Sequence, residues 1–272
     1  QKARSLGDTN GDGYDDLLVA SDNWRLCGGY GTAHGGSSGY CSQGDRRYGH
    51  FWVFMGSASG LDTSGAFNVG SESQEDYFAS EIEVDADLNG DGYNELLIGA
   101  YGQDSNGSNS GKIYIYRGTA SGLDQNVYMT LSGSSSDEEY GRTFAYGDIN
   151  GDGLDDLVVG VRYDDTTASN AGKTVVYFGH ATDYLDTTPH ATIYGENESD
   201  EYGYSVTSGD FNGDGYADVV VGARYNDDND TDSGKVYVYL GSASGLVTNV
   251  DAVHYGQSGS DYFGDSVDWL GD

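Results

Sequence analysis

The sequence is poor in proline, cysteine and basic residues, and it has no apolar run long enough to span a bilayer. It has one proline against 44 glycines and 24 tyrosines among 272 residues, a mix that favours short strands and tight turns over long helices. Only 12 lysines and arginines oppose 45 acidic residues, which gives a formal net charge of −33. Such a chain attracts cations and repels phosphate backbones and anionic lipid. We therefore expect no nucleic-acid partner and no direct membrane insertion.

The two cysteines, Cys27 and Cys41, flank a stretch of glycine, serine and histidine that is too polar to build a core. A local disulfide between them is plausible outside the cell, and a pair of free thiols is the alternative. Because no signal peptide precedes Gln1, we expect a mature soluble chain or a piece of one.

A nine-residue motif occurs four times and makes the chain a repeat array. The copies are DTNGDGYDD, DLNGDGYNE, DINGDGLDD and DFNGDGYAD, and they begin at Asp8, Asp87, Asp148 and Asp210. Their spacings are 79, 61 and 62 residues, so the first unit is the longest, and a segment at 22–50 accounts for the extra length. Repeats of this period are typical of solenoids and propellers.

Each motif precedes two strand-like runs. Apolar runs such as LLIGA from Leu96 follow at once, then a polar loop and a second strand such as KIYIY. Because these strands have no polar face, neighbouring sheets must cover them on both sides. Roughly four strands per unit of about 60 residues predict an all-β β-propeller of four-stranded antiparallel blades, with a linear solenoid as the alternative. The predicted units are blade 1 at 1–76 with an inserted loop at 22–50, blade 2 at 77–139, blade 3 at 140–201, blade 4 at 202–261, and the start of a fifth at 262–272.

Oxygen-bearing side chains stand at positions 1, 3, 5 and 9 of each motif, and the backbone carbonyl of position 7 is a further donor. Ca²⁺ takes six to eight oxygen ligands, so the pattern predicts about four calcium sites, each between the first and second strands of a blade. Asx-type turns with solvated carboxylates are the alternative. The predicted metal ligands are Asp8, Asn10, Asp12, Tyr14, Asp16, Asp87, Asn89, Asp91, Tyr93, Glu95, Asp148, Asn150, Asp152, Leu154, Asp156, Asp210, Asn212, Asp214, Tyr216 and Asp218.

An EF-hand does not explain these loops. It requires a bidentate glutamate at position 12 of the loop and a helix on each side. Position 12 here is Val19, Ile98, Val159 or Val221, which lies inside the apolar run. We therefore expect calcium loops between strands.

The order of the motifs resembles a known family. The fourth unit contains, in order, Tyr202 and Gly203, Ser205 and Val206, the NGDG motif and a GKVYVY strand. This order resembles the FG-GAP repeats of the integrin α-subunit propeller and its bacterial relatives. The resemblance covers essentially the whole chain, although Phe78-Ala79 departs from the pattern. It implies a propeller, usually of seven blades, with structural calcium on the lower face and ligand binding on the upper face. The implied upper-face loops lie at 72–77, 137–140 and 196–202, near Asp104 and Asp164, and at 227–232.

We expect a calcium-stabilised extracellular binding or adhesion module that recognises a protein or glycan ligand, with other copies or chains completing the ring. We expect no enzyme activity, because the five histidines lie in different contexts without metal-type spacing. Two alternatives stay open. One is an accessory or catalytic propeller of a polysaccharide-degrading enzyme, and the other is a structural repeat protein that polymerises through its open ends.

Overall fold

The computed structural model describes residues 2–26 and 46–271. The regular secondary structure in these ranges consists of β-strands only. The predicted all-β class is therefore confirmed for this part of the chain. In the same ranges, no helix has the length and apolarity that a membrane crossing requires. The predicted disulfide between Cys27 and Cys41 lies outside the described residues.

The strands form four antiparallel sheets of four strands and one two-stranded hairpin. The first sheet contains β1 (Lys2–Gly7), β2 (Asp16–Leu26), β3 (Arg46–Met55) and β4 (Asp62–Gly70), and the second contains β5 (Phe78–Ala86), β6 (Glu95–Ala100), β7 (Lys112–Tyr116) and β8 (Val127–Ser132). The third contains β9 (Thr143–Gly147), β10 (Asp156–Val161), β11 (Lys173–Tyr177) and β14 (Ala191–Tyr194), and the separate hairpin of β12 (Gly179–His180) and β13 (Tyr184–Leu185) lies between β11 and β14 in the chain. The fourth contains β15 (Tyr202–Gly209), β16 (Asp218–Ala223), β17 (Lys235–Tyr239) and β18 (Ala252–Tyr255).

Three hydrophobic clusters lie between consecutive sheets. Leu96 and Ile98 of β6 belong to the cluster between the first and second sheets, whereas Leu97 belongs to the next cluster, and all three are at most 1% exposed. Successive side chains of a strand point to opposite faces, which explains the unbroken apolar run in the sequence. The two middle sheets are therefore covered on both faces, as propeller blades are.

Each nine-residue motif begins with the loop between the first and second strands of its sheet. We number these NGDG loops 1 to 4, and they start at Asp8, Asp87, Asp148 and Asp210. Because the strands are antiparallel, the turns between third and fourth strands lie at the same end of the sheets. We call it the NGDG end. The loops between second and third strands and the connections between sheets lie at the opposite end.

Candidate metal centre

The aspartate at position 1 organises each NGDG loop. In loop 4, Asp210 Oδ1 accepts hydrogen bonds from the backbone N–H of Gly213 at 2.7 Å and of Asp214 at 3.1 Å, and Oδ2 accepts one from Gly215 at 2.8 Å. Loops 2 and 3 make the same three bonds, and loop 1 makes two of them. The loop backbone thus wraps around the carboxylate of its first residue.

The glycines at positions 4 and 6 allow this wrapping. Gly213 and Gly215 have φ of +78° and +89°, in the left-handed region that side chains with a Cβ disfavour. The backbone N–H groups of Gly215 and Gly213 favour the charged carboxylate, so the pKa of Asp210 lies below its ordinary value. Loop 4 therefore holds an ionised aspartate at its centre.

Positions 3 and 5 lie side by side in the same turn. Asn212 Nδ2 donates to Asp214 Oδ2 at 3.0 Å, and Asp214 Oδ1 accepts from the N–H of Tyr216 at 3.0 Å. The loop therefore brings three predicted ligand side chains, at positions 1, 3 and 5, into one turn. The equivalent pairs are Asn89 with Asp91 at 3.2 Å and Asn150 with Asp152 at 3.0 Å.

The acidic residue at position 9 lies at the base of its loop, as the first residue of the second strand. In all four loops it is at most 1% exposed. Asp156 Oδ2 accepts from the N–H of Ile149 at 3.0 Å, and Oδ1 accepts from the N–H of Gly179 at 2.9 Å. The other three loops repeat both bonds. Position 9 thus ties its loop to the turn after the third strand, a role that the ligand pattern did not predict.

Burial changes the acidity of these groups. Desolvation, together with the neighbouring carboxylates of the same loops, raises the pKa of Glu95 to about 8 and that of Asp156 to about 7. Burial also raises the pKa of Asp218. A divalent cation in the loop would oppose both causes, because it favours the charged carboxylate.

The donor set decides whether calcium suits these loops. The predicted ligands of each loop supply only carboxylate, amide and carbonyl oxygens, which hard cations prefer. Within residues 2–26 and 46–271 no three His, Cys, Asp or Glu side chains are grouped so that they could hold a metal ion. The carboxylates at positions 1 and 9 instead face backbone amides. The donor chemistry fits Ca²⁺, and the individual ligands stay predictions.

At the opposite end, arginine joins the third and fourth sheets. Arg162 directly follows β10 and is 7% exposed. It donates to Glu139 Oε2 at 2.7 Å, and its guanidinium carbon lies 4.3 Å from the ring centroid of Tyr163. It also lies 4.0 Å from Glu201 Oε2, directly before β15, and 5.0 Å from the ring centroid of Tyr204 in the next repeat.

Two further arginines extend this arrangement, and we call Arg142, Arg162 and Arg224 the arginine ladder. The guanidinium carbon of Arg142 lies 4.4 Å from the ring centroid of Tyr101. Arg224 Nε lies 3.2 Å from Glu201 Oε2. None of the three arginines is a predicted site residue. The signal in the sequence is the Arg-Tyr pair that directly follows β10 and β16.

Two lysines with little exposed side-chain surface form ion pairs with acidic residues of the predicted ligand loops. Lys173 Nζ lies 2.7 Å from Asp164 Oδ2 and 3.2 Å from Glu138 Oε1. Burial alone would raise the pKa of Asp164, but hydrogen bonds from Lys173 and Thr166 outweigh it and lower that pKa. Lys235 of the fourth sheet also pairs with two carboxylates, but at other loop positions, with Nζ 2.9 Å from Glu196 Oε2 and 2.8 Å from Asp228 Oδ2. Part of the acidic character of these loops therefore serves the fold.

Two protein-family models and several known proteins are similar to this chain. The family model described as FG-GAP repeat matches residues 202–239, and the FG-GAP-like repeat model matches residues 87–159. The chain is 31% identical over 198 residues to phosphatidylinositol-glycan-specific phospholipase D of Bos taurus, a match that covers 68% of this chain and 23% of the relative. It is 30% identical over 153 residues to integrin alpha-5 of Xenopus laevis, which covers 54% of this chain and 14% of the relative. Integrin alpha-3 of Mus musculus is 32% identical over 50% of this chain and 13% of its own length. The chain thus spans less than a quarter of the length of these relatives.

Proposed function

We propose that this chain, which belongs to the FG-GAP repeat family, is a calcium-stabilised binding module of the propeller type that recognises a protein or glycan partner outside the cell. One observation carries the proposal. The NGDG end repeats one set of oxygen donors in four loops, whereas the loops between the second and third strands of the last three sheets, at 101–111, 162–172 and 224–234, have equal lengths but different side chains. Repeated loops suit a structural ion, and varied loops on a rigid scaffold suit recognition.

Calcium would be held in each NGDG loop by the residues at positions 1, 3, 5, 7 and 9. The ion would neutralise carboxylates that lie within one short loop and repel one another. Four Ca²⁺ ions would together oppose eight units of the formal net charge of −33. Because the donors are spaced correctly only in the folded loop, calcium binding would couple to folding.

We place partner recognition at the opposite end, assign no catalytic role, and propose that further copies or chains complete the ring. The similarity to two integrin α subunits supports a recognition role.

A second candidate is an accessory module of an enzyme, which the match to a relative named phospholipase D favours. Within the described residues, His190 stacks on Phe178 with 3.9 Å between ring centroids. That histidine serves packing.

Calorimetric titration of calcium into chelator-treated protein tests the calcium role. We expect about four ions per chain and a higher Tm with calcium. At free calcium about ten times Kd, each site would add about 1.4 kcal/mol to the free energy of unfolding.

Two variants with the same change of charge sharpen this test. Asp214→Asn removes a predicted ligand from loop 4, and we expect one ion fewer. Asp251→Asn changes an exposed residue outside the NGDG loops and keeps the full number. Equal stoichiometry in the two variants, or no calcium binding by the unmodified protein, would contradict the proposal.

A further inference from the structure

Backbone hydrogen bonds join NGDG loops 2 and 3 across the boundary between their sheets. The N–H of Asp155 donates to Asp87 O at 3.0 Å, and Asp155 Oδ2 accepts from the N–H of Asp87 at 2.8 Å. The N–H of His180, in β12, donates to Leu88 O at 3.0 Å. The third sheet thus fixes the first two residues of loop 2.

Loops 3 and 4 are joined in the same way. The N–H of Ala217 donates to Asp148 O at 2.8 Å, and the N–H of Ser242 donates to Ile149 O at 3.1 Å. The side chain at position 7 also covers the preceding loop, because a methyl group added at Gly151 would lie 2.5 Å from Tyr216 Cε1. Leu154 covers Gly90 of loop 2 at the same distance, measured from its Cδ2.

Loops 1 and 2 lack these contacts. In the part of the chain that the structure describes, no backbone hydrogen bond runs from Asn94 or Thr119 to loop 1. A methyl group added at Gly11 would have no neighbour within 4 Å, and Tyr93, which would cover it, is 40% exposed. A cavity of about 150 Å³, lined in part by Leu6 and Tyr93, lies at this boundary.

The residue at position 2 accounts for the difference. Leu88 and Ile149 are 0% exposed and belong to the hydrophobic clusters beneath the following sheet. Loop 1 has Thr9 there, and its hydroxyl donates to Asp16 Oδ2 of its own sheet. Burial of a large apolar side chain draws a loop under the next sheet, and a threonine with a local partner supplies far less of this drive.

We infer that NGDG loops 2, 3 and 4 bind calcium as one coupled unit, and that loop 1 binds it independently and more weakly. The inference rests on the proposed calcium function. An ion that orders loop 3 also orders Asp87 of loop 2 through the hydrogen bonds of Asp155. The ion that binds loop 2 next therefore has less of the loop backbone left to order. Coupling between sites typically changes affinity about 5- to 150-fold. Asp155 is the positioning residue of this coupling, and we expect loop 1 to bind at least about fivefold more weakly.

Hydrogen exchange without calcium tests the structural half of the inference. Residue-resolved measurement in chelator is expected to show slow exchange at Asp155 and Ala217 and fast exchange at Asn94 and Thr119. Thr9→Leu, which supplies the apolar side chain of loops 2 and 3, should slow exchange at Asn94 and Thr119. Equal protection at all four amides in the unmodified protein would overturn the inference.

Calcium titration tests the binding half. The unmodified protein should bind three ions in a tight, cooperative phase and one in a weaker phase. Asp155→Ala removes one of the three hydrogen bonds that join loops 2 and 3, the one from the N–H of Asp87 to Asp155 Oδ2, and should lower the cooperativity of the tight phase. Asp15→Ala is the matched control, because it removes the same charge at the same position of loop 1, and it should leave the cooperativity of the tight phase unchanged.

The outcomes separate the two proposals. Four equal and independent sites would overturn the coupling and leave the calcium function standing, as would identical titrations of Asp155→Ala and Asp15→Ala. No calcium binding by the unmodified protein would overturn the calcium function itself.

Discussion

Replacement of Arg162 by glutamine measures how strongly the arginine ladder holds the third and fourth sheets together. Arg162 is 7% exposed and faces Glu139 at 2.7 Å and Glu201 at 4.0 Å. Removing one partner of a buried ion pair costs about 3–5 kcal/mol, because the other charge stays buried without compensation. Here Glu139 keeps Arg142 at 3.2 Å and Glu201 keeps Arg224 at 3.2 Å. We therefore expect Arg162→Gln to lower the free energy of unfolding by a smaller amount, about 2–3 kcal/mol.

Urea unfolding at pH 7 and pH 4 is the assay. Arg142→Gln is the control, because the Arg142 side chain is 34% exposed and such a pair contributes at most about 1 kcal/mol. Burial raises the pKa of Glu201, and Arg162 and Arg224 oppose that rise. Loss of Arg162 raises the pKa of Glu201 further, so the destabilisation is full where Glu201 is ionised and shrinks as the pH falls and Glu201 is protonated. A loss no larger than that of Arg142→Gln, or one equal at both pH values, would refute this reasoning.

Two further predictions concern a glycine and a buried acid. Gly90 has φ of +71°, and an added methyl group would lie 2.5 Å from Leu154 Cδ2, whereas Gly153 has φ of +86° and no atom within 4 Å of such a group. Gly90→Ala should therefore lower Tm more than Gly153→Ala. Equal shifts of Tm would show that the contact between Gly90 and the next loop is unimportant. Burial raises the pKa of Glu83 from 4.5 to about 7, so its contribution to stability is full below about pH 4 and is lost as the pH rises through about 7. Glu83→Gln should raise Tm at pH 8 relative to the unmodified protein and change it little at pH 4, both measured in chelator, and a shift of the same size at both pH values would contradict the assignment.

Features set by neighbours in the sequence could be predicted, and features set by distant neighbours could not. The hairpin position of the NGDG loops and the two-sided burial of Leu97 follow from local spacing and hydrophobicity. The bond from the N–H of Gly179 to Asp156 spans 23 residues, and the contact of Arg162 with Tyr204 joins two repeats. No local pattern contains these pairs, so the structural role of position 9 and the arginine ladder emerged only from the three-dimensional arrangement.

Position 2 shows how near-identical repeats acquire unequal boundaries. The nine-residue motif conserves its oxygen donors in all four copies, so the loops fold alike within each sheet. Its second residue is Thr9, Leu88, Ile149 or Phe211, and this residue alone decides how much apolar surface the loop can bury beneath the next sheet. The energy that docks one loop on the next thus comes from hydrophobic burial, which is independent of the donors that would hold an ion. Because the two are separate, a repeat can keep its predicted ligands while its link to a neighbour changes, and in the proposed coupling a single residue at position 2 would decide whether neighbouring sites act together or alone.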